Sequence, residues 1–257
     1  QWPRAETTFI ASGVANLKKV HLNWWAYNMV TSLTEAQQGV MRQKVEAHTL
    51  LSGRKPWNCN APFKGDYLDD PATNPGFAKY KHAIVTLFQA GGDSMIRFAA
   101  NVEKVNPKGK PQLRTFVVTD ENMYKYDPKK FVVKKEAIPL AEVTKVSVSP
   151  QGDGLVVIHM KKPIRDVVLN AAAPGAPNLL PELVSAISSQ YLNLTGRRLE
   201  CAVNDRIEFN NSVVADPNNP TVTKAPGTAA VVSFVKSGAV PGSVWKKGKG
   251  VHIVEWA

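Results

Sequence analysis

Hydrophobic spacing divides the chain into zones. Near the N-terminus Val14, Leu17, His21 and Trp24 recur three and four residues apart, with Trp25 widening the stripe, and this spacing predicts a helix. Thr34-x-x-Gln37 has the form of a capping box that opens a second helix. Val40, Met41 and Val45 give that helix an apolar side, and Gly53 suits its stop. A junction around Thr31–Leu33 predicts an antiparallel helical hairpin, with the Trp pair packed in its core. Residues 54–78 read as an irregular connector, broken by Pro56, Pro62, Pro71 and Pro75 and packed through Trp57, Phe63 and Tyr67. From Phe77 to Asn170 the period becomes strand-like. Strands are expected at 95–105, 114–119, 123–126, 131–134, beyond Ile138–Leu140, at 143–148, 155–160 and 164–169, the turn at 151–154 joining two of them. Short strands at hairpin spacing predict a sandwich or small barrel. Leu180, Leu183, Val184, Ile187 and Tyr191 then form one apolar helical stripe, with Asn178 as cap, Pro181 in the first turn and Gly196 at the end. Such a helix can plug the open end of a barrel. Beyond it, strands are expected at 199–203, 206–209, 230–235 and 252–256, with a Pro/Asn/Thr-rich loop over 214–228.

Composition narrows the function classes. The 257 residues are 44% apolar and 21% charged, which is globular rather than disordered. Two cysteines, Cys59 and Cys201, make neither a disulfide framework nor a zinc finger. No apolar run is long enough to span a bilayer as a helix. The opening Gln1-Trp2-Pro3-Arg4 has neither an initiator Met nor a signal-peptide core, and reads as a piece of a longer intracellular chain. The net charge is +11, and residues 76–135 hold most of the surplus, with 12 basic and 5 acidic side chains. A local surplus suits an anionic partner such as lipid headgroups, nucleic acid or an acidic protein, or serves only as a solubilising surface.

No catalytic group is nominated. Gly242–Lys249 approximates a phosphate loop, but five residues separate its glycines, and Gly250 stands where Ser or Thr would hold magnesium. The five histidines show no metal-ligand spacing, and His159 reads as a packed strand residue. No G-x-S-x-G elbow occurs. No cofactor is implied.

The basic residues gather at one hairpin. Lys104 ends its first strand, Lys108 and Lys110 occupy the Asn106–Lys110 turn, and Arg114 opens the returning strand. These four cations should converge on one rim, with Lys125, Lys129 and Lys130 nearby to widen it. Lysine supplies adaptable point charges and arginine a planar fork that matches phosphate oxygens. Aromatic side chains for stacking bases are few beside the hairpin, only Tyr124 and Tyr126, so nucleic acid is not the expected partner.

Gly53-Arg54-Lys55-Pro56-Trp57 and Phe63-Lys64-Gly65-Asp66-Tyr67-Leu68, followed in order by Phe116–Asp120, Tyr124–Pro128, Ile138–Leu140, Val146–Ser149 and Gly154–His159, resemble the tail homology 1 domain of class I myosins. The resemblance covers about residues 50–212. It implies an α+β fold: a pleckstrin-homology-like antiparallel β-barrel capped by a C-terminal helix, with the N-terminal helical hairpin and extra C-terminal strands flanking it. It implies three parts: 1–53 as a post-neck helical segment, 54–212 as the tail homology 1 domain, and 213–257 as an extension. The implied role is non-enzymatic attachment of a single-headed, actin-based motor to anionic phospholipids, phosphatidylinositol bisphosphate above all. The family's lipid signature places Lys104 on the first strand and Arg114 on the second, with Gln112 where a basic residue is usual. Lys104, Lys108, Lys110, Arg114 and Lys125 are the expected lipid-binding set. A basic helix with Trp also has the form of a calmodulin target, so a light chain such as calmodulin is a further partner to test near the N-terminal helices, although Lys18 and Lys19 are the only strong positive cluster there. Actin and ATP would be met only through a motor domain outside this chain. The implied location is cytoplasmic, peripheral at plasma or endosomal membrane and the actin cortex. The alternative reading is a protein-docking cargo module whose charge is incidental.

Overall fold

The computed structural model describes residues 4–51, 53–106, 109–132, 137–210, 230–236, 243–248 and 251–256. The loop expected over 214–228, half of the strand expected at 131–134, and the turn residue Lys108 lie outside the described residues. The chain divides into two units, residues 1–42 and 43–257.

The first unit holds α1 (Arg4–Ser32) and the opening of α2 (Glu35–Leu51). The break falls at Leu33 and Thr34. There the Gln37 amide donates to Thr34 Oγ1 (3.3 Å), and the Thr34 amide donates to Gln37 Oε1 (2.9 Å), which is the capping box read in the sequence. The two expected helices form, but the stripe expected in their core is exposed. Leu17 is 71% exposed, Trp24 63% and Trp25 54%. Apolar residues run on past the stripe to Tyr27, Met29 and Val30 and lie on every side of α1, so no one face gathers them.

In the second unit, eight strands form one sheet: β1 (Ile96–Val105), β2 (Pro111–Thr119), β3 (Asn122–Tyr126), β4 (Ile138–Pro139), β5 (Val143–Val148), β6 (Leu155–Met160), β7 (Val167–Asn170) and β8 (Cys201–Val203). The order is β4-β3-β2-β1-β7-β6-β5-β8, antiparallel throughout except the β5–β8 pair. The first seven strands followed by a helix give the α+β, pleckstrin-homology-like arrangement that was expected. Among the described residues the sheet is open, with β4 and β8 as its edges, and does not close into the barrel that was expected.

Alternation along the strands builds the core. Phe98, Ala100 and Val102 of β1, Phe116 and Val118 of β2, and Met123 of β3 face inward onto Leu180, Leu183, Val184 and Ile187 of α4 (Leu180–Thr195). Each of these side chains larger than alanine contributes about 1.5–3 kcal/mol by leaving water. Asn178 Oδ1 accepts from the Leu180 amide (3.0 Å), Pro181 sits in the first turn, and Gly196 ends the helix at φ +70°.

The outer face is covered twice. Over β1–β3 lies α3 (Phe77–Gln89), whose Tyr80 and Ile84 pack on Ala99, Val117, Tyr124 and Tyr126. This corrects the strand-like reading from Phe77 onward: Tyr80, Ala83, Ile84 and Leu87 stand at helical spacing and press a helix onto the sheet. Over β6, β7 and the end of β1 lies a second sheet of β9 (Arg206–Phe209), β10 (Ala230–Lys236), β11 (Ser243–Lys246) and β12 (Val251–Trp256), in the order β11-β12-β10-β9. Ile207, Phe209, Val232, Trp245 and Val254 meet Val105, Leu155, Val157 and Val168. Burial on both faces accounts for the apolar run Leu155–Ile158 of β6. The stretch that approximates a phosphate loop supplies β11 instead. Phe131, expected to open a strand, lies outside any strand and takes a left-handed backbone (φ +51°).

Asp120, in the turn after β2, accepts from the amides of Ser94 (2.9 Å) and Met95 (3.2 Å) and from Ser94 Oγ (2.5 Å). Slight burial alone would raise its pKa from 3.8, but these bonds outweigh it and pull the group down to about 2. A carboxylate held below its unfolded value stabilises the fold above pH 4, and that contribution drains away as pH falls toward 2. Asp120→Asn is therefore expected to lower the urea midpoint at pH 7 and to leave it near wild type at pH 2. A pH-independent difference would count against these bonds.

Candidate functional site

The β1–β2 hairpin positions the site. Its turn is closed by Gly109 N to Asn106 O (2.8 Å), Asn106 N to Lys110 O (2.9 Å) and Lys110 N to Asn106 Oδ1 (3.1 Å). Gly109 needs its hydrogen side chain for two reasons. Its φ is +71°, and a Cβ there would stand 2.7 Å from the His252 ring.

Register places the cations. Val102 pairs with Arg114, Lys104 with Gln112, and Phe116 with Lys125. Cross-strand partners share a face. Lys104 thus continues the inward row of Phe98, Ala100 and Val102, Arg114 continues the row of Val118 and Phe116, and Lys125 continues that of Met123. Three cations on three adjacent strands lie diagonally on one face, at the mouth where the apolar core ends, neighbours separated by roughly 5–8 Å. All three are half-buried. Lys104 Nζ donates to Val105 O (3.3 Å). The Arg114 guanidinium donates to Leu113 O (2.8 Å) and to Gln112 Oε1 (3.0 Å). Gln112, at the position where a basic residue was expected, thus orients the arginine. Lys110 is exposed in the turn, Lys129 and Lys130 are exposed in the turn after β3, and Lys108 lies outside the described residues. Glu103 faces the other way and accepts from Asn170 Nδ2 (2.9 Å).

The sequence reading missed the support behind the hairpin. Trp245 Nε1 donates to Gly109 O (3.0 Å), and Trp245 stacks on His252 at 4.8 Å. Burial, and then the Lys247 charge, lower the His252 pKa below the usual imidazole value. The second sheet thereby grips the hairpin tip from its outer side and leaves the inward face with its cations. Gathered cations of this kind can hold an anion by charge and directed N–H donation. Among the described residues, no three His, Cys, Asp or Glu side chains gather as a metal site, and no helix is long and apolar enough to cross a membrane.

Residues 54–255 match the family described as unconventional myosin tail, actin- and lipid-binding, and the chain belongs to that family. It is 38% identical over 252 residues to the myosin IE heavy chain of Dictyostelium discoideum, covering 97% of this chain and 24% of that protein. It is 36% identical over 241 residues to the myosin IF heavy chain of the same organism, covering 91% and 22%. The chain thus spans about a quarter of the length of these curated relatives. Among solved structures, the N-terminal PH domain of human ARAP2 aligns with a TM-score of 0.32 at 19% identity, covering 41% of this chain and 88% of that one. The matched region is the non-catalytic tail, and the family description gives such tails both actin and lipid as partners, so actin is not confined to a motor domain as was expected.

Proposed function

We propose that this tail segment attaches a class I myosin to anionic phospholipids, phosphoinositides above all, through Lys104, Arg114 and Lys125, with Lys108 and Lys110 adding charge from the turn. The observation that carries the reading is the shared inward face of the three strand cations. Attachment of this kind makes the protein peripheral at the plasma or endosomal membrane and the actin cortex. Each cation near an anionic surface contributes about 1 kcal/mol. Lys104→Ala with Arg114→Ala should therefore weaken retention on phosphatidylinositol bisphosphate vesicles by about 2 kcal/mol, close to thirtyfold in affinity. Arg197→Ala with Arg198→Ala removes the same charge beyond α4 and should cost much less. Equal losses in the two co-sedimentation series would mean that diffuse charge alone does the binding, and a negligible loss in the first would overturn the site.

A light chain such as calmodulin is the partner proposed for α1. The exposed Leu17, Trp24 and Trp25 beside Lys18 and Lys19 support that assignment. Trp24→Ala with Trp25→Ala should abolish co-elution with calmodulin in gel filtration, and unchanged co-elution would refute it.

A further inference from the structure

A groove of about 680 Å³ runs between α3 and the turn that follows β3. One wall is a single face of α3: Ala78, Lys79, His82, Ala83, Thr86 and Leu87, continuing to Ala90. At 1.5 Å per residue that wall is about 18 Å long. The other wall is Tyr126, Lys130, Phe131 and Val132. Three alanines keep the helix wall low, which lets another backbone come close.

Three observations say what suits this groove. First, among the described residues the lining carries Lys79, Lys130 and His82 and no acidic side chain. Second, the lining between these side chains is mostly apolar, with Ala78, Ala83, Leu87 and Ala90 of α3 across from Phe131 and Val132. Third, the floor is preformed. Phe131 is held at φ +51° with its ring 5.5 Å from that of Tyr80, and it crowds Gly76 so closely that a Cβ there would stand 2.5 Å from the ring. Strain of this kind persists only where surrounding packing enforces it, and it collects at ligand-holding positions.

We infer that the α3 groove docks an acidic amphipathic helix of a partner protein, its apolar stripe on Ala83, Leu87 and Phe131 and its carboxylates on Lys79, Lys130 and the His82 ring N–H. An open trough as long as three helical turns fits a helix laid along it. The groove lies on the outer face of the sheet, whereas Lys104, Arg114 and Lys125 lie on the inner one, so the two surfaces can be occupied separately.

The probe is a fluorescein-labelled 16-residue helical peptide with Leu at i, i+3, i+7 and i+10 and Glu flanking, compared with the same peptide carrying Lys for Glu. Anisotropy titration of the full chain should show the Glu peptide binding at least tenfold tighter than the Lys peptide. Thr86→Trp, an exposed position that fills the groove, should weaken the Glu peptide at least tenfold. Lys79→Glu with Lys130→Glu should invert the preference. Lys104→Ala with Arg114→Ala should leave the peptide affinity within twofold, which separates this surface from the lipid site. Equal binding of both peptides, indifference to Thr86→Trp, or loss of binding in the Lys104/Arg114 variant would each overturn the assignment. So would a Thr86→Trp variant that keeps the peptide but loses anionic vesicles, since the occupant would then be lipid.

Discussion

Lys55→Met is expected to remove about 3–5 kcal/mol of stability in urea unfolding, because it strips the only cation from a buried ion pair. Lys55 enters from the connector and is buried. Its Nζ lies 3.2 Å from Asp153 Oδ2 and also donates to Gln151 O (2.6 Å), Ser149 O (3.2 Å) and Ser149 Oγ (3.3 Å). Burial lowers the ammonium pKa below its usual range, and Asp153 pulls it part of the way back. Without Lys55, Asp153 keeps the Ser149 hydroxyl and the Leu155 amide (2.8 Å) but loses its counter-charge in a site closed to water. Adding Asp153→Asn should recover more than half of the loss, since it removes the stranded charge and retains an acceptor for Leu155. The unfolded chain binds the Lys55 proton more tightly than the folded one, so stability gains a positive slope as pH climbs toward 10.5, and Lys55→Met lacks that part of the slope. A loss under 1 kcal/mol would show the pair to be dispensable.

Trp245→Ala is expected to cost about 3–5 kcal/mol in the second sheet and to loosen the basic hairpin as well. The indole fills the space between Phe209 (ring centroids 6.3 Å apart) and His252 (4.8 Å), and it holds Gly109 O. Its removal leaves a cavity and frees the hairpin tip in one step. Amide exchange over residues 101–106 and 109–114 should accelerate, and vesicle affinity should fall although no cation has been removed. Trp245→Phe should restore much of the packing but not the bond to Gly109, and should give an intermediate hairpin. Unchanged exchange in the alanine variant would show that the second sheet does not brace the site.

The part of the fold carried by local pattern was legible. Alternation in 96–105 and 111–119, with a Gly-containing turn between them, fixes the hairpin register, and the register places Lys104 and Arg114 on one face. The stripe from Leu180 to Ile187 declares the helix that covers the inner core. What escaped depends on contacts between distant segments. Tyr80, Ile84 and Leu87 carry a helical period, but it abuts β1 and is masked by Val85 and Phe88 beside them. The second sheet joins β10 to β12 in parallel and packs β11 over β7, pairings that no short window can show. Trp245 reads in sequence as one aromatic in a basic, Gly-bounded stretch, and nothing there points to Gly109. For α1 the pattern revealed apolar residues without saying what covers them, so Trp24 and Trp25 were assigned to a core they do not join. The role of Gln112 was hidden for a related reason: a departure from a charge motif reads as a deficit until its Oε1 is seen beside the Arg114 guanidinium.

The place where Lys55 is pinned has a mechanical meaning. Leu155 of β6 pairs with Asn170 of β7, and Asn170 pairs with Glu103 near the hairpin end of β1, so the turn that holds Lys55 is tied to the basic hairpin through three adjoining strands. A pull between the connector and headgroups gripped at the hairpin would enter the sheet through these middle strands, away from the edges β4 and β8. Such a tether would hold because no edge strand has to peel first, even though each grip on the bilayer is weak.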